Sequence, residues 1–516
     1  MSSSSRSKSI DSSQMQDASD RTPLLSKATS SRSSSRQASH WYALPPIFAV
    51  GFAMGAIYAP QIQFYTEIFC YRYYQRINNE SDNNASTLVD DGLAPIQDCA
   101  VPEVQEIVAT AQAAIQFLLY GSTLIAAGHY GFMSDIKGRV PVIQISLLGM
   151  VVFIACNIAT AKLQDYVGVF PLFLAPLLRG LLAGDIVLMA AIQAYVSDCT
   201  LPRDRTTSFG YIIAATLLGT ALGSMTGGII VKGTGSVLNV FYAALVSSLV
   251  IVGYSFCIPE SNKHLASVNA GESSPTLLER INIFSALRLL FHVKQTHANR
   301  YALPAAANTV FLITLIMMPP LMLYAMLVWG WTAYEGSMLV GIVSIARLLT
   351  MTLVLPLLSR FFLNGTNSQH KLLNFNLWLA RVGTLIETME MILFGLAANT
   401  AQALLVAILG SFGILPQPAL RAIVTTLVDP KDVGKVLGAV AVTETVAMIV
   451  SQLVMNSLYG WSVAFMPNLT FFVCAVVGFS AFLSTFLIWE RKDSWSDSAA
   501  AQEEASSSSS TAAHQD

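Results

Sequence analysis

Charge is what this chain has least of. Of its 516 residues, only 12% are Asp, Glu, Lys or Arg, against 53% hydrophobic ones. A soluble protein of that length cannot cover its surface with so few charges, so a string of water-exposed domains is excluded. A chain whose flanks face lipid tails needs no such coat. The net charge of −2 provides no basic field, so nucleic acid is not expected as a partner. The six cysteines (Cys70, Cys99, Cys156, Cys199, Cys257, Cys474) form no Cys-x-x-Cys pair, so neither zinc nor redox chemistry is read. No metal and no cofactor are expected. Gly-x-Ser-x-Gly, His-x-x-x-His and Gly-Lys-Ser/Thr are all missing, which speaks against an enzyme and against an ATP-driven pump. The first 40 residues hold no apolar core, so no cleavable signal peptide is read, and the first apolar helix is expected to direct insertion.

What the chain does have is long apolar runs. About 20 such residues cross the hydrocarbon core of a bilayer as a helix. Runs of that kind lie at 42–65, 105–130, 141–161, 170–195, 207–231, 237–257, 303–327, 335–357, 374–396, 401–426, 435–458 and 464–488. The expected fold is an all-α polytopic membrane protein: twelve transmembrane helices in two six-helix halves, 41–260 and 301–491. A polar linker, 261–300, separates the halves. Within it Leu277, Ile281, Phe284, Leu287 and Phe291 recur every three or four residues, which predicts an amphipathic helix lying on the membrane face. The ends, 1–40 and 492–516, are Ser-rich or Ser/Ala/Glu-rich and too poor in large apolar residues to fold.

Lys and Arg set the orientation. With both ends in the cytoplasm, cytoplasmic segments carry 21 of the 29 basic residues and the opposite side carries four (Arg72, Arg76, Lys162, Lys232). The outer loop predicted at 66–104 holds two glycosylation sequons, at Asn79 and Asn84. Cys70 and Cys99 share that loop, as a disulfide or as two free thiols.

Between the second and third runs lies Gly131-Phe-Met-Ser-Asp135-Ile-Lys-Gly138-Arg139-Val-Pro141, read as a short hydrophilic hinge whose glycines let backbones come close. It resembles the loop motif between spans 2 and 3 of the major facilitator superfamily, with Gly131, Asp135, Gly138 and Arg139 matching. Ile136 and Val140 replace two basic positions. Arg179 in span 4 stands where the superfamily has an Arg followed four residues later by Gly; Ala183 occupies that place and Gly184 comes next. Ala194-Tyr-Val-Ser-Asp198, followed by Arg203, Arg205 and Phe209-Gly210, resembles the span 4–5 junction of tetracycline exporters and of the proton-coupled folate transporter family. Gly219, Gly223, Gly227 and Gly228 resemble the span-5 motif of drug/proton antiporters, with Ser224 in place of its Pro. Their spacing also predicts a flat ribbon against which a neighbouring helix packs closely.

An ionised side chain at the bilayer centre costs roughly 2.5–3.5 kcal/mol on insertion scales, so such residues persist where they face a wet cavity or a partner. The resemblance puts spans 1, 4, 7 and 10 around a central cavity, with spans 2, 5, 8 and 11 as its moving walls. The candidate substrate or proton pathway is therefore Arg179, Asp185, Arg347, Arg421 and Glu444. Arg179 and Asp185 are six apart, on different faces of a continuous helix, so no pairing between them is required. Glu387 and Glu390 share a face of span 9, which the resemblance makes peripheral; pairing with an Arg of span 8 is the leading expectation, and a proton-sharing carboxylate pair is the other. Arg381 is expected to anchor the cytoplasmic half. Gln61, Gln63 and Tyr65 at the end of span 1 read as ordinary interface groups, with a place at the cavity mouth as the other reading.

The resemblance implies a secondary active transporter of a small organic molecule, working by alternating access and coupled to protons through Asp185 or Glu444. Asp135 and Arg139 would latch the cytoplasmic side, with Arg203 and Arg205 as partners of Asp135. Efflux or sequestration of a secondary metabolite or drug-like compound is the leading expectation. A proton-coupled importer of an organic nutrient, or a non-transporting receptor on the same fold, are the alternatives. The membrane is the plasma or the vacuolar one. An acidic residue followed by Leu24-Leu25 resembles a dileucine signal for a sorting adaptor.

Overall fold

The computed structural model describes residues 38–80, 99–200, 205–261, 288, 290–292, 299–363, 369–428 and 433–489. Leu24, Leu25, Asn84, Arg203 and most of the stretch 277–291 lie outside these residues. So do the side chains of Asn79 and Arg205.

Among the described residues, eleven segments are long and apolar enough to cross a membrane. The remaining long helix, Gln369–Leu396, has 28 residues but carries Arg381, Glu387 and Glu390. It is span 9, which completes twelve. Hydrophobic side chains all round these helices suit lipid, and their backbones satisfy themselves internally, as a bilayer demands. Hydroxyls inside the spans do the same: Thr220 Oγ1 donates to Thr216 O (2.9 Å) and Ser224 Oγ to Thr220 O (2.7 Å). With Ser224 donating back into the turn, span 5 runs as one helix, Arg205–Thr234.

Spans 1 and 2 are longer than the apolar runs suggested. Span 1 is Leu44–Glu80 and span 2 is Pro102–Lys137. The loop expected from residue 66 therefore begins later, because both helices run on beyond their apolar stretches. A disulfide, Cys70–Cys99, ties their projecting ends together.

Three spans are broken. Span 4 is Phe170–Leu181 and then Asp185–Cys199. Span 7 is Ala302–Ile316 and then Leu321–Trp329, interrupted by Pro319 and Pro320. Span 10 is Thr400–Gly410, a 3₁₀ turn at Ser411–Ile414, then Pro416–Leu427. Span 8 stays continuous but passes through a π turn at Thr350–Val354.

Twelve crossings put both ends of the described chain on one face, called here the chain-end face; the other is the far face. The buried apolar residues form three clusters. On the far face one cluster is shared by both halves, running from Ile57, Phe64 and Phe241 to Leu323, Phe394 and Phe471. On the chain-end face each half has a core of its own, one around Leu147, Ile192 and Tyr195, the other around Leu379, Leu420 and Ile423. The halves are therefore fused on the far face and parted by a cleft on the chain-end face.

Candidate functional site

The cleft is built where spans 4, 7 and 10 lose their helical form. In span 4, Leu182, Ala183 and Gly184 leave the helix; Ala183 has φ +64° and is completely buried. Neighbouring polar groups hold the break. Tyr130 OH donates to Leu181 O (3.0 Å), Ser146 Oγ donates to Gly184 O (3.2 Å), and Thr123 fills the space beside Gly184.

This break corrects the expectation for Arg179 and Asp185. In a continuous helix they would face apart. The three non-helical residues reset the phase, and an Arg179 guanidinium nitrogen stands 2.5 Å from Asp185 Oδ1. Asp185 opens the second helix of span 4, where the helix dipole favours a carboxylate. The Arg179 side chain is 5% exposed and that of Asp185 is 44%. The guanidinium also lies over the Phe153 ring (4.8 Å) and beside Met54 Sδ (3.0 Å).

In the second half, Arg421 of span 10 meets Glu444 of span 11 at 3.2 Å, with side chains 52% and 29% exposed. Arg347 of span 8 is near enough to Glu387 and Glu390, and to Tyr58 in span 1, for their charges to be felt, but the ion pair expected between span 8 and the two glutamates is not formed: Arg347 Nε and Glu387 Oε2 are buried without a hydrogen-bond partner. The two glutamates press on the broken part of span 10: a side chain at Gly410 would meet the Glu390 carboxylate, and one at Gly413 would come within 3.2 Å of Glu387 Cβ. Arg381 donates to Thr485 O (3.4 Å) and covers the Phe486 ring (4.4 Å), an anchor in the chain-end half.

Where the cleft ends against the far face, a small cavity of about 70 Å³ sits between spans 1, 2, 7 and 11. Its polar lining is mostly amide: Gln61, Gln112, Gln116, Gln452 and Asn456, with Tyr58 beside them. The interface reading of Gln61, Gln63 and Tyr65 is thereby corrected. Gln63 is 5% and Tyr65 1% exposed, and Tyr65 OH donates to Asn157 Oδ1 (3.3 Å) inside the first half. Because span 1 continues beyond residue 65, these residues are interior. For the same reason sequence reasoning missed Glu67, a carboxylate 7% exposed and hydrogen-bonded to Gln63. Of the amides only Gln61 stood out in the sequence, because a neutral amide inside an apolar run carries no charge signal.

At the chain-end face the hinge of Gly131–Pro141 shrinks to one residue. Span 2 is helical to Lys137 and span 3 begins at Arg139, with Gly138 between them at φ +109°. A Cβ on Gly138 would strike the Glu260 carboxylate. That carboxylate accepts from the backbone N–H of Arg139 (2.9 Å) and Val140 (3.0 Å), so the end of span 6 caps the start of span 3. Gly131 has open space around it, so its expected close approach is absent. Arg139 bridges Asp135 (2.5 Å) and Asp198 (3.2 Å), which gives the motif a partner at the end of span 4.

The span-5 glycines behave as their spacing predicted. Gly219, Gly223 and Gly227 press on the backbone of span 1 at Phe48, Phe52 and Ala56. Gly228 faces the other half, where a Cβ would come 3.0 Å from Ser337 Cβ and Met338 Cε.

Residues 98–386 match the family model described as the Major Facilitator Superfamily. The chain belongs to that superfamily. It is similar to the MFS-type transporter avaJ of Aspergillus versicolor, 25% identical over 71% of this chain and 75% of that protein. It is similar to the proton-coupled folate transporter of Rattus norvegicus, 27% identical over 69% of this chain and 72% of that one. A class C tetracycline resistance protein of Escherichia coli is 27% identical over 67% of this chain and 79% of that protein. Among solved structures, a D-xylose–proton symporter shares the fold with a TM-score of 0.59 at 15% identity, over 86% of this chain and 96% of that chain.

Proposed function

We propose that this chain is a secondary transporter that exports or sequesters a small organic molecule by alternating access of its two six-helix halves. The observation that carries the reading is the single apolar core shared on the far face beside two separate cores on the chain-end face. A molecule with a sealed face and a cleft on the other needs only the exchange of those two states to move a solute. The likeness to a tetracycline resistance protein supports export. Import of an organic nutrient is the second reading, favoured by the likeness to the folate transporter.

The lining suggests the kind of cargo. Arg179 and Arg421 are each neutralised by a carboxylate, whereas the cavity at the apex of the cleft is lined by amides. That supports an uncharged molecule rich in hydrogen-bonding groups. Asp185 and Glu444 are the proposed proton carriers, both open to the cleft. The chain-end face is placed in the cytoplasm on the strength of the Lys/Arg distribution, and the membrane is the plasma or vacuolar one, with Leu24 and Leu25 as the sorting signal.

Compounds retained by cells lacking the protein, compared with cells overproducing it, test the direction. Export or sequestration predicts a compound that builds up in the cytoplasm of the deficient cells. Slower depletion of a nutrient from their medium, with no such build-up, overturns export in favour of import. Identical profiles overturn both.

A further inference from the structure

The far face is held shut by more than apolar packing. The first turn of span 8, at Ala333, meets span 1 of the other half. There Ala333 N–H donates to Gln63 Oε1 at 2.6 Å, with Ala333 fully buried and Gln63 5% exposed. Span 8 caps itself in a way that leaves this donor over. Thr332 Oγ1 accepts from Tyr334 N (3.3 Å), and the Glu335 carboxylate accepts from Thr332 N (2.9 Å). Neither uses the Ala333 N–H, one of the donors that every helix start leaves unmatched. The same turn is gripped a second time, by Lys232 of span 5 over the Tyr334 ring at 4.4 Å.

A glutamine amide has two unlike ends, and only its oxygen can accept from Ala333. The orientation is fixed from behind. Gln63 Nε2 donates to Glu67 Oε1 at 2.7 Å, one helical turn further along span 1. Glu67 is 7% exposed, and it turns the amide nitrogen toward itself and the amide oxygen toward the other half.

We propose that Gln63 is the hydrogen-bonded latch of the far face, and that Glu67 is the positioning residue that keeps its amide the right way round. The proposal rests on the alternating-access reading. When the halves part on this side, the Gln63–Glu67 bond stays within span 1 while Ala333 N–H passes to water. The latch is thus broken and remade without rebuilding either half.

The test labels a cysteine placed in the closed seam. Ser337 is 1% exposed and packs against Gly228 of the other half. Ser337→Cys is made with Cys156, Cys199 and Cys257 replaced by Ser, and the purified full chain in nanodiscs is treated with a maleimide. Native Cys474, buried inside the second half, stays as the reporter of unfolding. Loss of one interior hydrogen bond is worth about a factor of ten in the open population. Gln63→Leu and Glu67→Leu are therefore expected to raise labelling at position 337 about tenfold and to leave Cys474 unlabelled. Glu67→Gln keeps an acceptor for Gln63 Nε2, so it should label like the parent.

Parent-like labelling in Gln63→Leu overturns the latch. Leu-like labelling in Glu67→Gln, or parent-like labelling in Glu67→Leu, overturns the positioning role. A rise at Cys474 together with position 337 assigns Gln63 to folding and overturns the latch as well. No solute is present in this experiment, so a failed transport assay bears on the proposed function and not on the latch.

Discussion

Asp185→Asn offers the sharpest test of how the first half is built. The substitution keeps shape and hydrogen-bonding capacity and removes the charge facing Arg179. Two unit charges about 4 Å apart interact by about 4 kcal/mol at the effective dielectric of a protein surface. The Asp185 side chain is 44% exposed to the cleft, so water screens roughly half of that. Arg179 keeps the Phe153 face and Met54 Sδ as partners. The expected loss is therefore about 2 kcal/mol, below the roughly 3–5 kcal/mol seen when a wholly buried pair loses one member. Unfolding by SDS in mixed micelles, run as a double-mutant cycle with Arg179→Met, isolates the pair. A coupling energy near 2 kcal/mol is expected, with the double variant less damaged than the two single losses combined. A coupling below about 0.5 kcal/mol would refute the pairing of Arg179 with Asp185 across the break in span 4.

Three more expectations follow from packing and charge. Gly223→Ala puts a methyl against the backbone of Phe52 and should destabilise the first half by about 1–3 kcal/mol, whereas Gly210→Ala, with nothing within 4 Å, should not; equal midpoints in the same unfolding assay would contradict the close approach of spans 1 and 5. Ala183→Gly relieves about 1–2 kcal/mol of left-handed strain but gives up about 0.5–1 kcal/mol of chain entropy and about 0.8 kcal/mol for the buried methyl, so stability should stay within about 0.5 kcal/mol of the parent; a loss of more than about 1 kcal/mol counts against strain at that position. Because Arg421 and Glu444 are 52% and 29% exposed, Glu444→Gln should shift stability by less than about 1 kcal/mol while lowering transport at least about tenfold, and undiminished transport would remove the pair from the pathway.

Much of this was legible in the sequence, and the parts that were not have identifiable causes. Twelve apolar runs, the split into halves and the glycine ribbon of span 5 are long-range repeats in hydrophobicity and residue size, which periodicity reads directly. The partnership of Arg179 with Asp185 was hidden, because helical geometry was assumed through Leu182–Gly184 and only the backbone shows that it fails there. Glu67 was hidden by a boundary: the apolar run ends near residue 65, but the helix does not. Glu260 gave no hint that it caps span 3, since it stands 121 positions from Arg139 and the intervening chain carries no trace of their meeting. Apart from Gln61, the amide lining escaped because glutamine in a greasy segment breaks no rule a reader would notice.

The contact of span 9 with the broken turn of span 10 carries a consequence for how the second half responds to its cargo. Glu387 and Glu390 lie behind Gly410 and Gly413, with hydrogen atoms alone where other residues would raise a wall. Whatever deforms that turn is felt at once by two acids at the rear. Span 9 thus shares in whatever happens at the break in span 10, and bulk added at either glycine would shut it out.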